Sequence, residues 1–182
     1  EGVSSWQVYK ALSEIKFLLG KLENIPDEGT IAPASYDFVI GMTKEALIKK
    51  MQERQASILN EAWNARQPNL PINTKQEALI LASIIEKETS LKTERGKVSS
   101  VFVNRLLREI ALQTDASVVY GITRGKKVLG RGLRRSELKK DTPWNTYVNK
   151  GLPPSPIGNP GKASIHAALN PDITNYLYFV AD

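Results

Sequence analysis

Glu86 and Glu88 end an almost wholly apolar segment, and carboxylates in such a place could do acid–base chemistry. Winding the segment from Ala78 as a helix, at about 100° per residue, puts Glu88 in the apolar arc and Glu86 nearer the polar side. We therefore expect Glu86 to face solvent and Glu88 to be buried. Burial and the partial negative charge of a helix C-terminus both raise the pKa of a carboxyl group. A glutamate that stays protonated near neutral pH is a competent general acid.

A structural ion pair is an alternative role for Glu88. Arg95 and Arg105 follow it in the chain, and either guanidinium could neutralise its charge. The spacing of these residues does not decide between an ion pair and a general acid.

A second set of polar side chains could contact a sugar. Gln113, Thr114 and Asp115 follow one another in a polar segment, and all three can hydrogen-bond to hydroxyl groups. Asn145 and Tyr147 come directly after a tryptophan, and ligand sites combine aromatic faces with a few well-placed polar groups. A turn or an ordinary loop can have the same composition, so each signal is weak by itself.

Composition excludes several kinds of site. The 182 residues include no cysteine, so disulfides, thiolate zinc sites and a cysteine nucleophile are excluded. The single histidine, His166, rules out a metal site with two histidines, and we expect it to be structural. We predict neither a metal nor a cofactor.

The net charge of +6, from 25 basic and 19 acidic residues, favours an anionic partner. Basic residues concentrate over 124–140, but no aromatic residue is interleaved there to stack on bases. We interpret this segment as a solvated basic surface and predict no nucleic-acid partner. A nucleic-acid-binding module is the competing interpretation.

The elements that must position these side chains fall into two parts. Residues 1–72 predict a helical N-terminal lobe. Its first helix is predicted to run from an N-cap at Ser4 to just before Gly20, because apolar residues recur there at helical spacing. A loop rich in proline and glycine covers 25–36, and a second helix is predicted from 43 to about 66.

Residues 73–182 predict a catalytic lobe of mixed α/β structure, and the whole chain therefore an α+β fold. Thr74 and Glu77 form a capping box at the start of the apolar helix. Two more helices are predicted over 94–108 and 164–169, and two strands over 118–120 and 175–180.

The ends of the chain indicate a piece of a longer protein. The chain opens without methionine and stops directly after the last predicted strand, so we expect the catalytic lobe to be truncated at its C-terminus. It has no apolar run of about 18 residues, the length that spans a membrane.

Together these motifs resemble the YceG-like family of endolytic murein transglycosylases. The resemblance is dense over 74–182 and looser over 1–70. The segments that carry it, in the order of the family, are 81–89, 94–98, 101–106, 112–121, 145–147, 151–157, 159–161, 170–171 and 176–182. One departure is Pro33-Ala34-Ser35-Tyr36, where the family usually has Pro-Asp-Thr-Tyr. The family's membrane helix, its small N-terminal domain and its C-terminal extension are missing from this chain.

The resemblance implies a function and its residues. It implies cleavage of the β-1,4 bond between N-acetylmuramic acid and N-acetylglucosamine within peptidoglycan glycan strands, leaving 1,6-anhydro ends. Glu88 is implied as the catalytic acid and base. We expect five residues near the glycan, namely Thr89, Gln113, Asp115, Asn145 and Tyr147, with Asp115 as the candidate that stabilises positive charge on the sugar.

The resemblance also implies surroundings for the parent protein. It would sit at the inner, cytoplasmic membrane through its missing N-terminal segment, with the catalytic region on the periplasmic side. Peptidoglycan synthases are the implied protein partners. Two further readings compete with this one: a hydrolytic muramidase that uses Glu88 and Asp115, and a non-catalytic cell-wall scaffold.

Overall fold

The structure is a computed structural model, and it describes residues 1–179. These residues form seven α-helices joined by long ordered loops. The helices are α1 Ser5–Glu14, α2 Lys44–Asn64, α3 Lys75–Glu88, α4 Arg95–Leu107, α5 Asp115–Thr123, α6 Arg135–Leu138 and α7 Lys162–Leu169. The only β-pairing within the described range is an isolated bridge between Leu19 and Thr43. The predicted α+β class is therefore not confirmed, because the described chain is helical with almost no strand.

Helix α3 is the central element of the fold. A capping box starts it as predicted: Thr74 Oγ1 accepts a hydrogen bond from Glu77 N at 3.1 Å, and the Glu77 carboxylate accepts one from Thr74 N at 3.0 Å. Every residue from Ala78 to Ile85 is buried. Helices α2, α4, α5 and α7 all pack against α3. The last turn of α3 consequently emerges from the core at a fixed position.

The strand predicted over 118–120 is wrong, because these residues lie in α5. A run of three β-branched and aromatic residues is too short for periodicity to separate a strand from a helix. The helix has Asp115 in its first turn, where a carboxylate is favoured by the helix dipole. It buries Ser117 and Val118 in the core.

The closing run over 175–179 forms no strand in the part of the chain that is described. Side chains of α4 take the place of a neighbouring strand. Asn104 Nδ2 donates to the carbonyl oxygen of Tyr176 at 2.9 Å, and Arg105 Nε donates to that of Leu177 at 2.7 Å. The rest of this predicted strand lies outside the described residues.

The other predicted helices form close to their expected bounds, except that α1 is shorter. It ends at Glu14, because Leu19 is held in an extended conformation beside the start of α2. Leu19 N donates to Met42 O, and Lys44 N donates to Leu19 O, both at 2.9 Å.

Two clusters of buried apolar side chains stabilise the molecule. The smaller joins the α1 region to the first half of α2, and the larger surrounds α3. Helix α2 contributes to both, with Leu47 in the smaller cluster and Leu59 in the larger. The division into lobes at residues 72 and 73 remains a prediction. Within residues 1–179 no helix is long and apolar enough to cross a membrane.

The central role of α3 makes its packing a direct test of the fold. Leu81 is fully buried, and we expect Leu81→Ala to lower the free energy of unfolding by about 2–5 kcal/mol through the cavity that it leaves. Urea denaturation followed by circular dichroism measures this loss. The same substitution at Leu107, which is 58% exposed on α4, is the control and should change stability by less than about 0.5 kcal/mol. Equal losses in both variants would contradict the packing described here.

Candidate active site

A cleft of about 240 Å³ opens where α3 ends, and we call it the Glu88 cleft. Its walls come from the last residue of α3, from α4, from the segment that leads into α5, and from the loop after Trp144. The residues that line it are Glu88, Phe102, Arg105, Leu112, Gln113, Thr114, Asp115, Tyr147 and Phe179. The structure thus brings four of the predicted site residues to one place: Glu88, Gln113, Asp115 and Tyr147.

Glu88 has a neutral hydrogen-bond donor at its carboxylate. The hydroxyl of Thr114 donates to Glu88 Oε1 at 2.5 Å. Burial is the main cause that raises the pKa of Glu88, and the negative charge of Asp115 adds to it. The Thr114 hydrogen bond and the positive charge of Arg105 oppose the rise without cancelling it. The pKa of Glu88 is therefore above its ordinary value, the direction expected from its place on the helix.

The described structure does not pair Glu88 with either arginine that the sequence offered. Arg95 instead bonds to Glu86 at 2.9 Å and to Glu1 at 3.5 Å. The guanidinium of Arg105 donates hydrogen bonds to main-chain oxygens instead, and its Nη1 donates to Leu112 O at 2.6 Å. The positive charge of Arg105 acts on Glu88 without a direct ion pair, so the pKa of the Glu88 carboxyl group stays above its ordinary value.

The prediction that Glu86 faces solvent is wrong. Its side chain is only 5% exposed, paired with Arg95 on one oxygen and accepting a hydrogen bond from Gly161 N at 2.9 Å on the other. The helical wheel assumed that one side of α3 would remain open. Because other helices and the 159–161 loop surround α3, its polar side is covered as well.

Asp115 brings a second carboxylate to the Glu88 cleft. Its side chain is exposed, and Oδ1 accepts a hydrogen bond from the hydroxyl of Tyr147 at 2.6 Å. Burial, followed by this hydrogen bond and the nearby negative charges, raises the pKa of Tyr147 to about 12. Tyr147 is therefore a protonated donor that fixes the direction of the Asp115 carboxylate.

Buried Thr146 holds the segment that carries these groups. Its hydroxyl accepts from Thr114 N at 3.0 Å and bonds the hydroxyl of Ser117 at 2.8 Å. Its carbonyl oxygen accepts from Gln113 N at 3.0 Å. Gln113 itself has a φ of 51°, a left-handed conformation that turns the chain sharply into α5. This arrangement sets the Thr114 hydroxyl against Glu88.

Two predicted glycan contacts lie elsewhere. Asn145 is fully buried beneath the cleft, where its amide donates to Lys140 O at 2.7 Å and its oxygen accepts from Tyr147 N at 2.9 Å. Asn145 thus supports the loop that presents Tyr147. Thr89 caps α3, and its hydroxyl bonds to Glu94 at 3.0 Å rather than lining the cleft.

Sequence reasoning considered Arg105 as an ion-pair partner of Glu88 but not as a residue that lines the site. The signal was an arginine among the apolar residues of α4, such as Phe102, at a spacing that buries it. A buried guanidinium must find acceptors, and here these are the carbonyl oxygens of Leu112 and Leu177. Arg105 thereby ties the segment before α5 and the closing run of the chain to α4.

Other candidate ligands are sparse in the described part of the chain. Within residues 1–179 no three or more His, Cys, Asp or Glu side chains are grouped so that they could hold a metal ion. His166 is exposed on α7. In the basic segment, Arg131 forms an ion pair with Glu137 at 2.6 Å, and Arg124 stacks on Trp144.

Comparison with known proteins gives consistent matches. The model of the YceG-like family matches residues 1–182. An endolytic murein transglycosylase of Bacillus subtilis is 40% identical over 157 residues, which cover 86% of this chain and 42% of that protein. One of Streptococcus pneumoniae is 34% identical over 161 residues, covering 85% of this chain and 28% of that protein. The chain thus spans less than half the length of these relatives.

A solved structure matches the fold as well. The crystal structure of a YceG-like protein from Listeria monocytogenes superposes with a TM-score of 0.73 at 31% sequence identity. The match covers 98% of this chain and 57% of that one.

The hydrogen bond from Thr114 provides a test of the electrostatics around Glu88. Thr114→Val keeps the shape of the side chain but removes the donor that favours the ionised carboxylate. We expect the pKa of Glu88 to rise further, measured by NMR titration of carbon-13 in the glutamate carboxyl groups. Thr123→Val is the matched control, because the Thr123 hydroxyl bonds to the backbone at Val119 O and Gly125 N and does not line the Glu88 cleft. An unchanged titration midpoint in Thr114→Val would contradict the described contact.

The raised pKa of Glu88 also has a consequence for stability. Because the folded chain holds the proton more tightly than the unfolded chain, this group's stabilising contribution is full below the ordinary value of 4.5 and is lost as pH rises through the raised value. Glutamine does not titrate, so Glu88→Gln removes the loss of stability that accompanies deprotonation of Glu88. We expect its free energy of unfolding to increase relative to wild type as pH rises above that ordinary value.

Urea denaturation at pH values below and above the ordinary value of 4.5 measures the difference between Glu88→Gln and wild type. Glu53→Gln, at an exposed position of α2, controls for the general removal of one negative charge. A difference that stays constant with pH would show that Glu88 titrates alike in the folded and unfolded chains.

Proposed function

The chain belongs to the YceG-like family, and on that premise we propose that it is a lytic transglycosylase that cuts within peptidoglycan glycan strands. The bond cleaved is the β-1,4 link between N-acetylmuramic acid and N-acetylglucosamine, and the product carries a 1,6-anhydro end. The names of the curated relatives support peptidoglycan as the substrate. The observation that carries the proposal is Glu88, a carboxyl group with a raised pKa and no cationic partner in the described structure, in an open cleft.

Glu88 acts first as an acid. The protonated carboxyl group gives its proton to the oxygen that links muramic acid C1 to the next sugar. The C1–O bond breaks, and positive charge develops at C1 and the ring oxygen in an oxocarbenium-like transition state. Burial supports this step because it keeps the proton on Glu88 until the leaving oxygen takes it.

Glu88 then acts as a base. Its carboxylate takes the proton from the 6-hydroxyl of the same muramic acid while O6 attacks C1. The 1,6-anhydro ring closes, Glu88 regains its proton, and no water is consumed. A single carboxyl group suffices for both steps, since the proton that leaves is replaced by the proton that arrives.

Asp115 is proposed to stabilise the positive charge on the sugar ring. Its carboxylate lines the same cleft, and the hydrogen bond from Tyr147 holds it in place. Tyr147 and Gln113 line the cleft beside it and are proposed to contact the glycan. Asn145 and Thr89 act indirectly, through the Tyr147 loop and the end of α3.

Hydrolysis is the second candidate, and one observation favours it. Glu88 and Asp115 both line the cleft, so Asp115 could act as a base toward water while Glu88 acts as the acid. Hydrolysis leaves a reducing end that is heavier by one water than the anhydro end. A non-catalytic scaffold would leave the glycan intact.

The wider context is a proposal about a longer protein. The parent is proposed to sit at the inner membrane, with this region on the periplasmic side, where peptidoglycan is found. Peptidoglycan synthases are its proposed partners, because a strand-cutting enzyme acts on the polymer that they make.

The function is tested by digesting purified peptidoglycan with this chain and reading the products by mass spectrometry. We expect anhydro-muropeptides from wild type and a rate about 10²–10⁴-fold lower from Glu88→Gln, because the variant has no proton to transfer. Glu53→Gln, which changes an exposed glutamate of α2, should retain wild-type activity. Thermal melting of each variant checks that the fold is intact. Anhydro products at the wild-type rate from Glu88→Gln would refute the role of this residue.

A further inference from the structure

A second cavity lies beside the Glu88 cleft, on the other side of the end of α3 and the start of α5. We call it the Lys87 cavity. Its volume is about 240 Å³. The lining residues that matter to its chemistry are Lys87, Ala116, Val119, Lys127, Leu129 and Ile157. Nothing in the acid–base steps at Glu88 uses these side chains.

The two cavities share their supporting helices. Lys87 immediately precedes Glu88 on α3, and Ala116 immediately follows Asp115 on α5. Side chains of consecutive helical residues diverge by about 100°, so one member of each pair faces each cavity. The two cavities are therefore neighbours on the same two helices. A substituent on a sugar bound in the Glu88 cleft would lie next to the Lys87 cavity.

The charge of the Lys87 cavity favours an anion. Lys87 and Lys127 are its charged lining residues, and within residues 1–179 no carboxylate lines it. Two carboxylates near Lys87 have other hydrogen-bond partners: Glu86 is paired with Arg95, and Glu28 accepts hydrogen bonds from Ser5 N and the Tyr120 hydroxyl. Their negative charges still act on Lys87, whereas Lys127 is a lining cation with no ion pair in the described structure. Burial lowers the pKa of Lys87, and an anionic ligand would raise it again.

Much of the remaining wall suits small apolar groups. Ala116, Val119, Leu129 and Ile157 give the cavity an aliphatic surface beside the lysines. The polar residues that also line it are Ser4, Gln7, Tyr120 and Thr123. An aliphatic surface with cations at its edge fits a ligand that carries both carboxylates and methyl groups. A sugar ring, with hydroxyls around its edge, would leave the lysine charges unmatched.

We propose that the Lys87 cavity binds the stem peptide of the substrate. This peptide is attached to muramic acid through its lactyl group, next to the bond that is cut, and it carries free carboxylates and alanine methyl groups. The proposal rests on the proposed function, since it assigns the peptide part of the same substrate. On this proposal, the chain recognises the peptide as well as the glycan.

The test compares binding of two ligands that the enzyme cannot cut. One is the disaccharide N-acetylglucosaminyl-N-acetylmuramic acid with its lactyl carboxylate capped as the amide, which lacks the scissile bond. The other is the same disaccharide with the dipeptide L-Ala-D-Glu on its lactyl group, which adds a methyl group and two carboxylates. Isothermal titration calorimetry of the wild-type chain should give a Kd roughly tenfold lower for the peptide-bearing form, as expected for a charge-assisted contact.

Variants locate the binding to the Lys87 cavity. Lys127→Ala should remove the tenfold preference, and Lys127→Glu should reverse its sign. Lys126→Ala is the matched control, because Lys126 is equally exposed but does not line the cavity. Equal binding of the two ligands by wild type, or the same loss in Lys126→Ala as in Lys127→Ala, would overturn the proposal.

A digest of peptide-free glycan strands separates this proposal from the proposed function. If the chain forms anhydro ends on such strands but shows no peptide preference in calorimetry, the peptide site is refuted and the transglycosylase stands. If the Lys127-dependent preference is present but no strand of either kind is cut, the peptide site stands and the transglycosylase is refuted.

Discussion

The chemistry of this molecule depends on how the end of one buried helix accommodates two carboxylates. Helix α3 carries Glu86 and Glu88 out of the core in its last turn. Glu86 meets a guanidinium at 2.9 Å and serves as a structural ion-pair partner. Within residues 1–179, the one hydrogen-bond partner of the Glu88 carboxylate is the neutral hydroxyl of Thr114, at 2.5 Å. Because burial is compensated by an ion pair in one case and not in the other, two residues of the same type acquire different electrostatic environments.

The rest of the architecture maintains that asymmetry. Arg95 holds Glu86 and is itself buried, so it is not available to Glu88. Arg105 comes near Glu88 but is bound to carbonyl oxygens of the segment before α5 and of the closing run. Its charge moderates the rise in the pKa of Glu88 without forming a pair. The same arginine holds these two segments to α4, which links the electrostatics of the site to its shape.

Much of the helical framework could be predicted from the sequence, but the environment of its polar residues could not. The capping box of Thr74 and the apolar run after it identify α3, and the wheel places Glu88 correctly near the core. The burial of Glu86 depends on a loop about 75 residues away in the chain, which no local periodicity reveals. The strand expected over 118–120 fails for a related reason, since three apolar residues fit either element and tertiary packing decides between them. Asn145 has the residue type of a sugar ligand, and only the fold shows that its amide is occupied by the backbone.

The central claim is that Glu88 transfers a proton in both directions while the sugar's own 6-hydroxyl, and no water, attacks C1. Digestion of glycan strands in water enriched in oxygen-18, followed by mass spectrometry of the new ends, tests this claim most directly. The expected result is anhydro ends that contain no heavy oxygen. Ends that each carry one oxygen-18 atom would contradict the claim and identify water as the nucleophile.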